Sequence, residues 1–305
     1  PEKLIVFSRD ELKQFEMQQV FKDDCLRYFI GDIRDRCRLH RAFEGVDIIV
    51  HAAAMKHVTA SEYNPFEAVN TNILGSENII NEAIDNNIEK VIALSTDKAV
   101  DPANLYGATK LCAEKLFVAG NNYVGKLHRT KMSVVRYGNV IGSRGSVIPF
   151  FMKEKKKGVI PITDKRMTRF RITIDEAVDF VLSSLEMMEG GEIFVPKLPA
   201  MNIMDLAKAM APDCEHKIVG IRPGEKLHET MLTETEARSS AELPTRYIVR
   251  PEHVESFSKK YDNEKAVPDS FKYASNTTTE ILEIEKLRGL IDNWYEQESY
   301  YSVRP

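Results

Sequence analysis

One stretch of this chain, STDKAVDPANLYGATK at residues 95–110, constrains the fold more than any other. It follows the apolar run KVIAL at residues 90–94, which predicts a buried strand, and it leads into good helix formers up to Phe117. The stretch is therefore a strand end, a loop and a helix start. In open α/β sheets, ligands bind at the carboxyl ends of the strands. We expect the functional site at this edge.

Two pairs of side chains in the stretch predict acid–base chemistry. Tyr106 and Lys110 are one helical turn apart and share a helix face. A lysine cation beside a phenol lowers the pKa of the phenol, so we predict that Tyr106 takes a proton from an alcohol or sugar hydroxyl. Asp97 and Lys98 follow the strand end and are expected to face the same substrate. Alone, a Tyr-x-x-x-Lys pair more often lies on a surface, so the interpretation depends on the whole register from strand to helix.

The bulk composition is ordinary for a soluble globular protein. The chain has 305 residues and a net charge of -4, which gives no sign of nucleic-acid binding. No apolar run is long enough to span a membrane, and the start is not a signal peptide. The four cysteines form no C-x-x-C pair, and the histidines lack partners at metal-ligand spacing. We predict a cytoplasmic protein with reduced thiols and no metal site.

The chain opens abruptly for a dinucleotide-binding fold. LIVF at residues 4–7 predicts a strand, but SRDELK follows it where a first Rossmann strand needs a glycine-rich turn. The run fits better as the second strand, where the adenosine ribose is read. We therefore expect that a first βα unit is missing, as in an incomplete record of a longer protein. A truncated pseudo-enzyme is the alternative.

The end of this strand predicts the cofactor. An acidic residue there favours NAD, whereas an arginine accommodates the phosphate of NADP. Ser8 and Arg9 end the strand, Asp10 follows, and Lys13 lies one helical turn beyond Arg9. We predict that these residues bind NADP. The alternative is a helix start with solvated charges.

Further strands, at residues 28–31, 46–50 and 131–137, complete a parallel sheet. Small residues around Ala53, just after one of them, let the backbone approach the cofactor. We predict an α/β fold, a Rossmann-type doubly wound parallel sheet at residues 1–147. From Ile148 the pattern changes, and we predict a smaller substrate-binding α/β domain at residues 148–305, interleaved with the first.

The second half contains two cationic turns. Thr163 and Arg169 belong to the first, and Arg222 and Glu225 to the second. Arginines bind phosphate bidentately, so Arg169 and Arg222 are candidates to clamp a diphosphate, although exposed arginines are common. The polar tail predicts a loop at residues 256–270 and an amphipathic helix at 279–296, with no assigned chemistry.

Three segments carry a resemblance to a known family: residues 95–110, HAAAMKHV at 51–58, and VRYGNVIGSRGSVIPFF at 135–151. Together they resemble the extended short-chain dehydrogenase/reductase superfamily, and within it the NADP-dependent UDP-N-acetylglucosamine 4,6-dehydratases. The segments are most similar to the enzymes that invert carbon 5 and open pseudaminic acid synthesis. The pair Asp97-Lys98 favours this group, because related dTDP-glucose dehydratases have Asp-Glu there.

The resemblance implies an internal redox cycle. Tyr106, assisted by Lys110, removes the proton of the 4-hydroxyl while NADP takes hydride from carbon 4. Lys98, acting with a lowered pKa, removes the hydrogen on carbon 5. Asp97, its pKa raised by burial, protonates the leaving 6-hydroxyl before hydride returns to carbon 6.

The resemblance also implies further binding residues. Predicted cofactor contacts, besides those above, are Asp32, Ile33, Lys56, Ser95, Thr96, Tyr106, Lys110 and Val140. Predicted substrate contacts are Lys56, Asn139, Ser143, Arg144, Gly145, Ser146, Val147, Thr163, Arg169, Arg222 and Glu225. Asn70-Thr-Asn72 opens a helix whose amides are expected to buttress the active-site loop. A homo-oligomer is also implied.

Two alternatives stay open from the sequence. One is a UDP-sugar 4-epimerase, or a dehydratase that retains carbon 5. The other is a non-catalytic NADP-binding regulator, which the absent glycine-rich turn favours and the intact Asp97, Lys98, Tyr106 and Lys110 oppose.

Overall fold

The computed structural model describes residues 1–143, 145–254 and 259–302. Its strands are β1 (Leu4–Ser8), β2 (Leu26–Ile30), β3 (Ile48–His51), β4 (Lys90–Leu94), β5 (Lys131–Val135), β6 (Asn139–Val140), β7 (Val159–Ile162), β8 (Thr168–Ile172), β9 (Ile193–Pro196), β10 (Ala200–Asn202), β11 (Glu215–Ile218), β12 (Thr230–Leu232), β13 (Ser240–Glu242), β14 (Arg246–Val249), β15 (Lys265–Ala266) and β16 (Tyr273–Ala274). Its helices are α1 (Glu11–Val20), α2 (Arg36–Phe43), α3 (Val58–Tyr63), α4 (Pro65–Val69), α5 (Gly75–Asp85), α6 (Leu105–Gly120), α7 (Val147–Lys155), α8 (Ile174–Met187), α9 (Ile203–Met210), α10 (Glu234–Ala237) and α11 (Ile284–Ser302).

The largest sheet within the described residues has seven strands in the order β15-β13-β14-β9-β5-β4-β3. Strands β3, β4, β5 and β9 run parallel, which confirms the predicted Rossmann-type sheet. Strands β14, β13 and β15 extend it in antiparallel fashion. Strands β1 and β2 were expected in the same sheet but form a separate parallel pair, because β2 has no hydrogen-bonded strand partner besides β1 among the described residues. The expected βα unit ahead of β1 stays a prediction.

Helices cover both faces of the parallel strands, because successive side chains of a strand point to opposite faces. Val91 of β4 packs in a core with Ile79 of α5 and Phe117 of α6. Its neighbour Ile92 packs on the other face with Phe180 of α8. This arrangement is the doubly wound layering that the apolar strands predicted. No helix in the described ranges is long and apolar enough to cross a membrane.

The second half of the chain contributes to two regions. Strand β9 lies beside β5 in the large sheet. A second core then joins α7, β7, α9 and α11 around Phe151, Ile160, Leu206 and Ile291. The chain after residue 148 therefore both extends the first sheet and builds a separate apolar cluster. The division at residues 147 and 148 stays a prediction.

Two elements differ from the sequence-based expectation, and a third agrees with it apart from its bounds. The helix predicted from Asn70 begins with a π-helical turn, Asn70–Leu74, before α5. The predicted loop at residues 256–270 contains a strand, Lys265–Ala266, which pairs with β13; residues 255–258 lie outside the described part. Polar composition gave no signal for this strand, which is held by backbone pairing and by the ion pair of Lys265 with Glu242. The predicted terminal helix is present as α11.

A buried arginine links the first sheet to the second half of the chain. Arg136 follows β5, and its side chain is fully buried. It donates hydrogen bonds to Glu114 of α6 at 2.7 Å, to Glu236 of α10 at 2.7 Å and to the Met231 carbonyl of β12 at 3.1 Å. Burial favours the neutral form, but the two carboxylates raise the pKa of Arg136 above its ordinary value. The cation stays charged and connects three elements.

We predict that Arg136→Met lowers the free energy of unfolding by about 3–5 kcal/mol, because Glu114 and Glu236 would be left without their cation. Urea denaturation measures this loss. Arg166→Met is the matched control: this arginine also contacts a carboxylate, that of Asp164, but its side chain is 65% exposed. Its replacement should change stability little, since exposed ion pairs contribute little. Equal effects of the two substitutions would contradict the assignment.

Candidate active site

A cavity of about 330 Å³ lies at the carboxyl ends of β4 and β5. This is the edge that the sequence predicted, because β4 runs directly into the loop of residues 95–104. Eleven of its lining residues were predicted as site residues; the full lining is Ala52, Ala54, Lys56, His57, Leu94, Ser95, Thr96, Lys98, Tyr106, Lys110, Tyr137, Gly138, Asn139, Val140, Ser143, Gly145 and Ser146.

The loop after β4 forms a short helical turn that places Asp97 and Lys98. Thr96 caps this turn, and its hydroxyl accepts a hydrogen bond from the Lys98 backbone. The Lys98 ammonium lies 3.0 Å from Asp97 Oδ1 and 3.3 Å from Asn139 Oδ1. Asp97 is fully buried and does not line the cavity. It therefore reaches the cavity through Lys98 and through Thr96, whose hydroxyl donates to Asp97 Oδ1 at 3.0 Å.

The electrostatics of this pair match the prediction for one partner only. Burial raises the pKa of Asp97, against the opposing effect of Lys98, as predicted. The predicted lowering of the Lys98 pKa is wrong. Burial does act to lower it, but the carboxylates of Asp97 and Glu229 raise the pKa of Lys98 above its ordinary value. Lys98 is therefore a cation in this structure.

Helix α6 carries the second predicted pair. Asn104 caps its first turn by accepting from the Gly107 backbone. Tyr106 is 8% exposed, and the Lys110 ammonium donates to the Leu94 carbonyl at 2.7 Å. Burial lowers the pKa of Lys110 to about 8.

The predicted pKa of Tyr106 is wrong in direction. Burial raises it to about 12, and the cation that acts against this rise is Lys98 rather than Lys110. Helical spacing placed Tyr106 and Lys110 on one face of α6. It did not reveal that the phenol is desolvated, or that the Lys110 ammonium donates to the Leu94 carbonyl.

The π-helical turn supports the loop that contains Lys56. Asn72 accepts from the Met55 backbone at 2.8 Å and donates to the Met55 carbonyl at 3.0 Å. It also donates to the Thr109 hydroxyl of α6 at 3.0 Å. The predicted buttress is confirmed, with the Asn72 side chain satisfying backbone groups on one side of the cavity and contacting α6 on the other.

The glycine-rich turn after β6 closes another wall. Gly142 and Gly145 have φ angles of +69° and +76°, a conformation that favours glycine. A Cβ on Gly142 would overlap the indole of Trp294 in α11, and one on Gly145 would lie 2.7 Å from Cε1 of His57. The turn thus lies against two rings. Val147 begins α7 beside it, and Arg144 lies outside the described residues.

The predicted cofactor residues of the first segment gather around the end of β1. The Asp10 backbone donates to the Ser8 hydroxyl, and Lys13 contacts the Asp10 carboxylate at 3.1 Å. The Arg9 guanidinium is exposed, 3.5 Å from Asp32.

The residues after β2 lie close by. The Arg34 side chain lowers the pKa of Asp32 through hydrogen bonds, so Asp32 is ionised at neutral pH. Ile33 is buried in the core below Gly75. Ala53 is exposed between the cavity-lining Ala52 and Ala54.

The predicted substrate residues of the second half fall into two groups, Arg169 with Thr163 and Arg222 with Glu225. Arg169 is nearly buried, donates to the carbonyls of Lys226 and Leu227, and lies 3.7 Å from Glu229. Thr163 donates to the sulfur of Met167. Arg222 is 60% exposed, 3.8 Å from Glu225. Binding of a diphosphate by Arg169 and Arg222 stays a prediction.

Sequence reasoning missed several residues at the site. Tyr137, Gly138 and His57 line the cavity without having been assigned a role, and Glu229 contacts Lys98 from a distant segment. His57, Tyr137 and Gly138 lie inside the segments at residues 51–58 and 135–151, so their positions offered a signal. Glu229 offered none. Within the described part of the chain, no group of His, Cys, Asp and Glu side chains is arranged to hold a metal ion.

The fold and the strand–loop–helix site define a Rossmann-type enzyme of the short-chain dehydrogenase/reductase class. Comparison with known proteins narrows this class. The model of a family described as polysaccharide biosynthesis proteins matches residues 1–251, and the chain belongs to this family.

Three relatives are informative. A UDP-N-acetylglucosamine 4,6-dehydratase (inverting) from Campylobacter jejuni subsp. jejuni is 50% identical over 302 residues, covering 96% of this chain and 90% of the relative. A UDP-glucose 4-epimerase from Rickettsia conorii is 40% identical, covering 94% and 85%. The X-ray structure of Pen from Bacillus thuringiensis, 39% identical, superposes with a TM-score of 0.89 and covers 97% of this chain and 90% of its own.

We predict that Gly107→Ala disturbs the contact between α6 and the Lys98 turn. A Cβ at Gly107 would overlap the Lys98 carbonyl oxygen, a backbone atom that has to shift. Overpacking of this kind costs about 1–3 kcal/mol of unfolding free energy, which urea denaturation measures. In the control Gly289→Ala, the added Cβ would meet no heavy atom of the described residues within 4 Å apart from its chain neighbours and its own helix backbone, so stability should hold or rise slightly. A stable Gly107→Ala protein would contradict the close contact.

Proposed function

We propose that this protein is an NADP-dependent UDP-N-acetylglucosamine 4,6-dehydratase that inverts carbon 5. The observation that carries the proposal is the Asp97-Lys98 pair beside Tyr106 and Lys110 at one cavity. An alcohol oxidation needs only the tyrosine and its lysine, whereas elimination of water also needs a base and an acid. The identity to the Campylobacter jejuni enzyme over nearly the whole chain supports the same activity.

The residues present fit a nicotinamide dinucleotide. Ala52 and Ala54 leave room against the cavity wall, and Ser95, Thr96 and Lys110 offer polar groups around it. Arg9, exposed at the end of β1, suits the additional phosphate of NADP. When bound, the cofactor supplies a hydride acceptor for carbon 4 and a hydride donor for carbon 6.

Tyr106 accepts the proton of the 4-hydroxyl in this proposal, and Lys110 assists it. A pKa of about 12 makes the neutral phenol the resting form, so Tyr106 first has to pass its own proton to the neutral amine form of Lys110 before it can accept another. Positive charge from Lys98 stabilises the phenolate, since it already acts to lower this pKa. Lys110, with a pKa of about 8, exchanges protons readily near neutral pH.

The Asp97-Lys98 pair supplies both further groups after one internal proton transfer. Moving a proton over the 3.0 Å contact from Lys98 to Asp97 gives a neutral amine and a neutral carboxylic acid. Burial acts towards such a neutral pair, whereas the carboxylates of Asp97 and Glu229 act to keep Lys98 charged, so the neutral pair is the reacting form and not the resting form. The amine removes the hydrogen on carbon 5. The proton for the leaving 6-hydroxyl comes from Asp97, along its hydrogen bonds to Lys98 and Thr96, both of which line the cavity.

The product would be UDP-2-acetamido-2,6-dideoxy-β-L-arabino-hexos-4-ulose, the first intermediate of pseudaminic acid biosynthesis and of flagellin glycosylation. This place in metabolism rests on the resemblance of the three sequence segments. A cytoplasmic location and a homo-oligomeric assembly also stay predictions.

The second candidate function is a UDP-sugar 4-epimerase, which the 40% identical Rickettsia conorii relative favours. An epimerase needs no base for the hydrogen on carbon 5. The Asp97-Lys98 pair supplies the base and the acid that elimination of water needs, and it therefore favours the dehydratase. The regulator alternative requires cofactor binding without turnover.

Proton NMR with UDP-N-acetylglucosamine in deuterated water tests the proposal. We expect a 6-deoxy-4-keto product with deuterium at carbon 5 and the L-arabino configuration. A deuterated product that keeps its carbon-5 configuration would refute inversion alone. Unchanged substrate, or only its 4-epimer, with cofactor confirmed bound, would refute the dehydratase.

A substitution separates the oxidation from the elimination. We predict that Lys98→Ala lowers product formation by about 100-fold or more, the usual contribution of a general base. Oxidation at carbon 4 uses Tyr106 and Lys110 and should continue at a lower rate, because the substitution removes the positive charge that acts to lower the pKa of Tyr106. Reduced nicotinamide would therefore accumulate, which its near-ultraviolet absorbance reports. Lys115→Ala, an exposed lysine of α6, is the control and should behave like wild type. Normal turnover by Lys98→Ala would contradict the assigned role.

A further inference from the structure

Glu229 is a buried carboxylate that the proposed mechanism has not used. It directly precedes β12 and is 2% exposed. Its backbone is fixed on both sides, because its amide donates to the Ser275 hydroxyl and its carbonyl accepts from the Ser275 amide. This segment belongs to the second half of the chain, yet the side chain of Glu229 points at the Asp97-Lys98 turn.

Three cations surround this carboxylate. Its Oε1 lies 3.6 Å from the Lys98 ammonium and 3.7 Å from Nε of Arg169, and its Oε2 lies 3.3 Å from the Lys226 ammonium. The Lys226 ammonium donates a hydrogen bond to the Val100 carbonyl at 2.7 Å, and the Arg169 guanidinium donates to the Lys226 carbonyl. Two of the cations are therefore anchored in the protein framework. Lys98 is the one that also lines the cavity.

The charges that face Lys98 come from several elements. Asp97 lies on its own turn, Glu229 on the segment before β12, and Arg169 on β8, while Tyr106 faces it from α6. Asp97 is the carboxylate that changes protonation in the proposed reaction. Only Glu229 among these groups can remain a constant negative charge beside Lys98 throughout the cycle.

We propose that Glu229 is a positioning residue of the reaction: its carboxylate holds the Lys98 amine at the cavity wall and is its permanent counter-ion while Asp97 gains and loses a proton. This inference rests on the proposed function and deepens it. Lys98 is then held between two carboxylates, one reactive and one constant. The ends of β4 and of the segment before β12 must both be in place for the amine to point at the substrate.

The position of Glu229 predicts the direction in which the pH–rate profile moves when its charge is removed. Glu229 raises the pKa of Lys98 and also that of Asp97, through its negative charge. Removal of this charge lowers both pKa values. The base and the acid of the reaction therefore shift together, and the whole pH–rate profile should move to lower pH.

The test compares Glu229→Gln and Glu229→Asp with wild type. For Glu229→Gln we expect kcat to fall about 10- to 100-fold, with little change in KM because Glu229 does not line the cavity. Its pH–rate profile should move down by about one pH unit, the usual effect of a nearby charge. Glu229→Asp keeps the charge and should restore the wild-type profile with part of the rate.

The matched control is Glu242→Gln. Glu242 is also a carboxylate between two lysines, Lys197 at 2.9 Å and Lys265 at 2.7 Å, but it lies in β13 away from the cavity. This substitution should leave the profile unchanged. A lower rate in both Glu229 variants with an unmoved profile would show a purely structural role and overturn the proposal.

A measurement without turnover separates this inference from the proposed function. NMR titration of carbon-13-labelled lysine, with the Lys98 signal assigned from Lys98→Arg, reports the Lys98 pKa directly. We expect it to fall by about one unit or more in Glu229→Gln and to hold in Glu242→Gln. An unchanged Lys98 pKa would overturn the inference whatever the substrate. If the pKa falls but wild-type protein leaves UDP-N-acetylglucosamine unchanged, the proposed function fails and the pairing of Glu229 with Lys98 stands.

Discussion

A partly buried ammonium ion is stabilised by negative charge close to it, and the active site is arranged in this way around Lys98. Desolvation of a lone charge is expensive. Two carboxylates offset this free-energy cost at Lys98: Asp97 from the adjacent position and Glu229 from the second half of the molecule. Because these two carboxylates come from opposite parts of the fold, the ionic contact that places the amine also joins the parts. A second buried cation, Arg136, makes the same kind of connection a few residues beyond β5.

The parallel sheet explains why the remaining groups meet there. Strands β4 and β5 end at the same edge, so the loop after one and the turn after the other share a cavity. Helix α6 then presents Tyr106 to this cavity, and the Asn72 side chain fixes the loop on the opposite wall to the same helix. Each wall is held by hydrogen bonds to backbone groups, which keeps reacting side chains within a fixed geometry.

The sequence was sufficient for the features that depend on local order. The run from β4 to α6 predicted where Asp97, Lys98, Tyr106 and Lys110 lie, and apolar runs predicted the parallel strands. It was insufficient for properties that depend on burial and on distant partners. The pKa directions of Tyr106 and Lys98 were wrong because helical spacing carries no information about desolvation or about Glu229. The strand at residues 265 and 266 was missed because its backbone bonds leave no trace in side-chain pattern.

The contact between the glycine-rich turn after β6 and α11 has a practical consequence. The chain contains a single tryptophan, Trp294, and its indole lies against Gly142 in the turn that walls the cavity. Indole emission depends on the polarity of its surroundings. The protein thus carries one indole fluorophore, in contact with one wall of its cavity, and its tryptophan emission, excited apart from the tyrosines, follows the packing of that wall without any attached label.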